Sequence, residues 1–177
     1  VIFMRKVINT NRTTANISGF LHKLKYFHRR DEDNWIDETY YKSDFYKELD
    51  KYGLSFIDYI NQHSEVEDKI LDICCNQGRF LFGLKNKGYL NLYGFDIMKQ
   101  AIEKLHNNIE YDKKIFNVEH ALAQKYFQSK KDNSFDWSIT YGATIELIHP
   151  GFDIFKELSR CIKKGMFLII SENSHSY

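Results

Sequence analysis

The sequence predicts an α/β fold with a doubly wound, mainly parallel sheet, and three observations carry that prediction. Between residues 69 and 97 an apolar run containing an acid meets a tight turn closed by a glycine, an amphipathic segment, and a second apolar run ending in an acid. In this order the parts make half of a nucleotide-binding α/β unit. Apolar runs and helical spacings continue to alternate toward the end of the chain, as expected of parallel strands joined by helices. Asp96 lies 18 residues after Gly78, a spacing that sets a carboxylate beside the ribose of a nucleotide held in the turn. The expected strand order is 3-2-1-4-5 with right-handed crossovers.

Each element has its own signal. Ser43 stands in N-cap position before Asp44 to Leu49, and the spacing of Phe45 and Leu49 reaches Tyr52 before Gly53 interrupts it. A second helical stretch from Leu54 to Gln62 buries Phe56, Ile57 and Ile60. Ile70 to Cys75, apolar except for Asp72, reads as a strand buried on both faces. Arg79 to Lys87 is a helix with Phe80, Leu81 and Leu84 on one side, stopped by Gly88. Leu92 to Ile97 is the second strand, Lys99 to Asn108 a helix, Ile115 to His120 the third strand and Phe135 to Tyr141 the fourth. Phe152 to Lys164 is expected to be a helix ended by Gly165, and Met166 to Ser171 the fifth strand.

Residues 1–42 are polar and irregular, with a charge cluster from His28 to Asp33 and an aromatic group of Trp35, Tyr40 and Tyr41. They form an arm or a lid ahead of a single domain over residues 43–177. At 177 residues the chain supports a real core, since about 150 residues bury roughly 70% of their unfolded surface. With 25 basic and 24 acidic residues the net charge is +1, so no long-range field draws a polyanion and nucleic acid is a disfavoured partner. The local run of Lys23, Lys25, His28, Arg29 and Arg30 is either a solvated face or a phosphate contact.

Cys74, Cys75 and Cys161 match neither a zinc spacing nor a disulfide framework, so a reducing, cytoplasmic setting without a metal is expected. The adjacent pair reads better as small buried hydrophobes than as a redox couple. No apolar stretch approaches the roughly 18 residues of a membrane span. A chain starting at Val1 rather than Met suggests a longer native N-terminus.

From about residue 66 to 173 the chain resembles the class I S-adenosylmethionine-dependent methyltransferases, which have a Rossmann-like fold. Asp72-Ile73-Cys74-Cys75-Asn76-Gln77-Gly78 stands where that family has acid-x-Gly-x-Gly-x-Gly, so only the last glycine is kept. Gly94-Phe95-Asp96 matches the segment whose acid holds the ribose hydroxyls. Asn133 to Ile139 and Glu146-Leu147-Ile148-His149-Pro150 match the fourth motif, with Leu147 at the family's histidine and His149 two places later.

The resemblance implies S-adenosylmethionine as cofactor and S-adenosylhomocysteine as product. It implies cofactor contacts from Asp72, Cys74, Asn76, Gly78, Asp96 and Ile97, and from Tyr141 and Gly142 at the methyl-donor end. Past the third strand, where relatives often place an acid near the adenine, His120 stands, and Glu119 or the backbone of Ala121 substitutes. It also implies seven strands. The sequence stops after the fifth, so strands six and seven are expected in further residues, unless the arm or a second copy in a homo-oligomer covers the open edge.

Glycines in such a turn permit positive φ and close approach of a ligand. Asn tolerates the left-handed region and Cys is small, so the loop is expected to keep its shape while crowding the methionine moiety. The phosphate-binding Gly-x-Gly-x-x-Gly pattern is missing, and S-adenosylmethionine carries no phosphate, which favours it over a nicotinamide cofactor.

Methyl transfer needs positioning and exclusion of water, with a base where the acceptor is a hydroxyl. His149 is the candidate base, or else a cap for the turn before Pro150; Glu146 orients it or binds substrate. The group of Trp35, Tyr40 and Tyr41 is either a lid, with Arg29 or Arg30 on the cofactor carboxylate, or a docked arm. Residues Glu146 to Tyr177 look similar to methyltransferases found among bacterial surface-polysaccharide genes. The expected acceptor is an oxygen or nitrogen of a small molecule: a sugar, a nucleotide-sugar or a phosphate-linked precursor. A non-catalytic binding module and an RNA or protein methyltransferase are the rival readings.

Overall fold

The structure, a computed structural model, describes residues 48–141 and 152–169. The arm, the boundary at residue 43 and the segment holding Gly142, Glu146 and His149 lie outside the described residues.

Helix α1 (Lys51–His63) opens the described chain, with Asp50 as N-cap accepting from the Gly53 N–H at 2.7 Å. Gly53 therefore does not separate two helices, as the sequence suggested. It lies in the first turn, where the cap supplies the missing partner. There follow β1 (Lys69–Ile73), α2 (Arg79–Asn86), β2 (Asn91–Asp96), α3 (Lys99–His106) and β3 (Phe116–His120). Helix α4 (Ala123–Gln128), strand β4 (Phe135–Tyr141), helix α5 (Ile154–Cys161) and strand β5 (Ile162–Ile169) complete the order.

The five strands form one parallel sheet in the order β3-β2-β1-β4-β5, as the spacing predicted. The last helix corrects the sequence reading. It stops at Cys161, Ile162 is already extended, and Gly165 lies within β5 opposite Trp137. The β4–β5 register shifts between Phe135 and Trp137, and Gly165 sits where that shift ends. Helix α4, which the sequence did not mark out, is six residues long, too short to show a helical period.

Alternation along the strands divides the core in two. Ile70, Leu92 and Ile139 face Phe56, Ile57 and Ile60 of α1, Phe80, Leu81 and Leu84 of α2, and Ile102 and Leu105 of α3. Leu71, Ile73, Phe95 and Phe135 face Tyr126 and Phe127 of α4 and Ile154 and Leu158 of α5. Each fully buried Leu, Ile or Phe contributes about 1.5–3 kcal/mol relative to exposure. Burial of both faces is what allows β1 to be apolar almost throughout. Among the described residues no helix is long and apolar enough to cross a membrane.

The N-terminal end of the sheet is locked by carboxylates. Asp68, 7% exposed, accepts from Trp137 Nε1 at 2.9 Å, Lys164 Nζ at 2.6 Å and the Glu65 N–H at 3.0 Å, so the approach to β1 is tied to β4 and β5. Asp136 accepts from the Lys69 N–H at 2.9 Å and Lys163 Nζ at 3.3 Å. Burial pushes the Asp68 carboxyl up, but the hydrogen bonds from Lys164, Glu65 and Trp137 outweigh it and hold the group below its ordinary value.

A carboxyl depressed on folding adds stability above its unfolded value and loses it as pH falls through the folded one. Asp68→Ala is expected to cost about 1–3 kcal/mol near pH 7, because Trp137 Nε1 loses its buried acceptor. The cost should shrink below about pH 4, where the parent carboxylate becomes protonated. Urea unfolding at the two pH values measures this, and an equal cost at both would remove the charge from the account.

Candidate functional site

The site is built where β1, β2 and β4 end, the position at which open α/β sheets bind ligands. Between β1 and α2 the chain turns through residues 74 to 78, and its shape is set by three left-handed residues. Cys74 has φ 55°, Asn76 φ 50° and Gly78 φ 81°. These are the three positions at which the resembled family carries glycine. The turn thus keeps a glycine-type backbone path with two side chains added to it.

Several bonds hold it there. The Cys75 N–H donates to Phe95 O at 2.9 Å, and the Gly78 N–H to Cys75 O at 2.9 Å. The Asn76 N–H donates to Asp96 Oδ2 at 2.8 Å, while Asn76 Oδ1 accepts from the Gln77 N–H at 2.8 Å. Gly94 lets the turn sit against β2, since a Cβ there would lie 2.9 Å from Cys75 Sγ. At Gly78 a Cβ would lie 2.6 Å from Leu105 Cδ1, so this glycine serves the approach of α3 as well as its own φ.

Asp96 is the node of the site. Its Oδ2 holds Asn76, its Oδ1 accepts from the Met98 N–H at 2.8 Å, and its carbonyl accepts from the Ala121 N–H at 3.0 Å. His120 Nε2 pairs with Ile97 O at 2.9 Å. Asp96 thereby joins the turn, the start of α3 and the end of β3. Burial pushes its carboxyl up; the bonds from Met98 and Asn76 and the charge of His120 pull it back down. An ionised carboxylate has about four acceptor positions, so two amide bonds leave Asp96 capacity for ribose hydroxyls.

Asp72 is placed differently. It is 3% exposed, and its Oδ2 has no hydrogen-bond partner. Burial, and then the charge of Asp96, push its carboxyl well above the ordinary range, with Arg79 acting in the opposite direction. Arg79, at the first position of α2, holds its guanidinium 5.0 Å from the Phe80 ring and 5.4 Å from the Tyr141 ring. Phe80 packs on Tyr141 at 4.9 Å and edge-on to Phe56 at 5.7 Å, which makes an aromatic wall beside the end of β4. The Gln77 side chain, 7% exposed, has an unpartnered Nε2 in the same turn.

The structure thus brings together Asp72, Cys74, Asn76, Gly78, Asp96, Ile97, Ala121 and Tyr141 at one end of the sheet. The Ala121 N–H donates to Asp96 O at 3.0 Å, and Glu119 Oε1 pairs with Lys130 Nζ at 2.6 Å. Burial and the two carboxylates push the Cys74 and Cys75 thiols up, consistent with small packing residues rather than a redox couple.

Sequence reasoning missed Met98, Gln77 and Arg79. The Asp96–Met98 bond is an Asx turn at a helix start and has a sequence signal, an Asp just ahead of the helix. Arg79 has none, because its place depends on rings from α2 and β4.

The residues fit S-adenosylmethionine. A left-handed turn, a buried carboxylate with spare acceptors and an unpartnered acidic oxygen suit a ribose followed by a cationic amino-acid end. They do not suit a pyrophosphate, which the buried Asp96 carboxylate would repel and for which the turn offers no basic side chain.

Backbone conformation makes the testable difference within the turn. Gly78→Val is expected to destabilise by about 2–4 kcal/mol, through its φ of 81° and contact with Leu105. Asn76→Gly, at φ 50°, should change stability by less than about 1 kcal/mol. Denaturant unfolding compares them, and equal losses would contradict the left-handed assignment.

A family described as a methyltransferase domain matches residues 70–165. No curated protein matches the sequence. Among solved structures, the bifunctional kinase-methyltransferase WbdD aligns with TM-score 0.57 and 18% identity over 72% of this chain and 30% of its own. A putative S-adenosyl-L-methionine-dependent methyltransferase from Methanococcus maripaludis gives 0.58 and 16% over 68% of this chain and 55% of its own. One described as SAM dependent, from Archaeoglobus fulgidus, gives 0.56 and 20% over 76% and 57%. The chain therefore spans less than two thirds of each of these relatives, and at such identities they show a shared fold. With the family match covering more than half of its length, the chain belongs to the methyltransferase-domain family.

Proposed function

We propose that the protein transfers the methyl group of S-adenosylmethionine to an oxygen or nitrogen of a small-molecule acceptor. The observation that carries this reading is the turn itself, in which Cys74, Asn76 and Gly78 all hold positive φ while Asp96 grips the Asn76 amide. A site that had lost its ligand would not need two non-glycine residues in a conformation costing about 1–2 kcal/mol each.

S-adenosylmethionine supplies a methyl group already activated on a sulfonium. The chain's part is binding, orientation and exclusion of water. Asp96 takes the ribose hydroxyls with its free lone pairs, and the turn lets the backbone approach the ligand. Tyr141, with Phe80 and Phe56 behind it, walls the methyl-donor end. From the resemblance come Gly142 as a cofactor contact, His149 as the base that takes the proton of a hydroxyl acceptor, and Glu146 as the residue that orients it or binds substrate.

The finer substrate reading is a sugar, nucleotide-sugar or phosphate-linked precursor of a surface polysaccharide. The resemblance of Glu146 to Tyr177 supports it, as does the net charge of +1, which offers no general attraction for nucleic acid.

Calorimetric titration with S-adenosylmethionine, S-adenosylhomocysteine and NAD tests the cofactor. Micromolar binding of the first two, roughly 8 kcal/mol, with none of NAD is expected; failure of the first two to bind would overturn the reading. Asp96→Ala should weaken that binding by about 1–3 kcal/mol through loss of a charged acceptor, and unchanged affinity would sink its assignment. His149→Ala should lower turnover far more than cofactor affinity; unaltered turnover would leave His149 as a cap.

A further inference from the structure

Two acids lie side by side under the turn, and the protein treats them unequally. Asp96 receives two backbone amides at 2.8 Å, both of which favour its ionised form. Asp72 is 3% exposed, and its Oδ2 receives nothing. Its register neighbours are Gly94 on β2 and Ile139 on β4, neither of which carries a polar side chain.

Among the described residues, the titratable and charged groups around Asp72 come from β2, the turn, α2 and β4. Asp96 stands at the end of β2, Cys74 and Cys75 in the turn, Arg79 at the start of α2, and Tyr141 two residues past Ile139 on the same side of β4. Burial keeps the two thiols and the phenol protonated, so none of them contributes charge. Asp96 opposes ionisation of Asp72, and Arg79, over the Phe80 and Tyr141 rings, favours it. A buried carboxyl without donors and beside a like charge avoids the cost of ionisation by keeping its proton.

We infer that Asp72 carries a proton in the ligand-free protein and gives it up when the ammonium end of the cofactor settles against it, so that cofactor binding releases one proton to solvent. This rests on the S-adenosylmethionine reading of the turn. The balance is simple: the Asp72 O–H proton passes to buffer, and the resulting carboxylate accepts an N–H from the ligand's ammonium. No other bond changes. Asp72 is then the residue that reads the amino-acid end, and affinity rises with pH by about tenfold per unit until the free carboxyl is ionised.

The test is calorimetric titration of the whole chain in two buffers of different ionisation enthalpy, phosphate and Tris, at several pH values. S-adenosylhomocysteine is the first probe. 5′-Methylthioadenosine, which has the ribose but no ammonium, is the second. The expected result is release of about one proton per S-adenosylhomocysteine at the acid end of the range, fading as pH rises, and none with 5′-methylthioadenosine. Asp72→Asn should bind S-adenosylhomocysteine more weakly, without proton release or pH dependence.

Equal heats in both buffers at every pH, or the same proton release from Asp72→Asn, would overturn the inference while leaving the cofactor reading intact. Failure of S-adenosylhomocysteine to bind at all would overturn both. The buffer comparison on the parent chain decides the matter even if the variant does not fold.

Discussion

The carboxylate of Asp96 is the tie on which the C-terminal end of the sheet depends. Through two 2.8 Å bonds it fixes the Asn76 amide in the turn and the Met98 amide at the start of α3. Its own carbonyl anchors the chain leaving β3. Hydrogen bonds to an ionised acceptor contribute about 1.5–3 kcal/mol, enough to offset the left-handed conformations of Cys74 and Asn76. This explains how a glycine-type turn persists with one glycine. The backbone path is held by bonds from β2 to Cys75 and Asn76 together with those made within the turn.

Three buried aspartates show how the same side chain is given different characters. Asp68 meets an ammonium, an indole N–H and a backbone N–H, and its carboxyl is depressed. Asp96 meets two backbone amides and remains somewhat raised, burial outweighing the bonds. Asp72, with an orphaned oxygen, is raised furthest from the carboxylate range. The saturated acid fastens the N-terminal end of the sheet. The unsaturated ones lie at the end where parallel sheets bind ligands, and there unused acceptor capacity is what a cationic, phosphate-free cofactor requires.

Much of this was legible in the sequence because it follows from period and spacing. β4 spans Phe135–Tyr141 as its apolar run predicted, and the Gly78–Asp96 interval placed both residues at one site. Glycines were the weak point, since a glycine can mark a break, a close approach or a bulge. Gly53 was read as a break and lies inside α1 under the Asp50 cap; Gly165 was read as a helix stop and lies in β5 opposite Trp137. The positive φ of Cys74 and Asn76 could be expected from the family pattern alone, because neither residue type demands it. Arg79 was not legible, since its position depends on two rings from separate elements. Asp72 was legible as a residue of the site, whereas its missing partner is a property of the folded neighbourhood.

A crystal structure with S-adenosylhomocysteine tests the central claim most directly. The account predicts ribose hydroxyls within hydrogen-bond distance of the Asp96 carboxylate, the amino-acid end against Asp72, and a turn with Cys74, Asn76 and Gly78 still at positive φ. A ligand bound elsewhere, or a turn that abandons those conformations to admit it, would contradict the account.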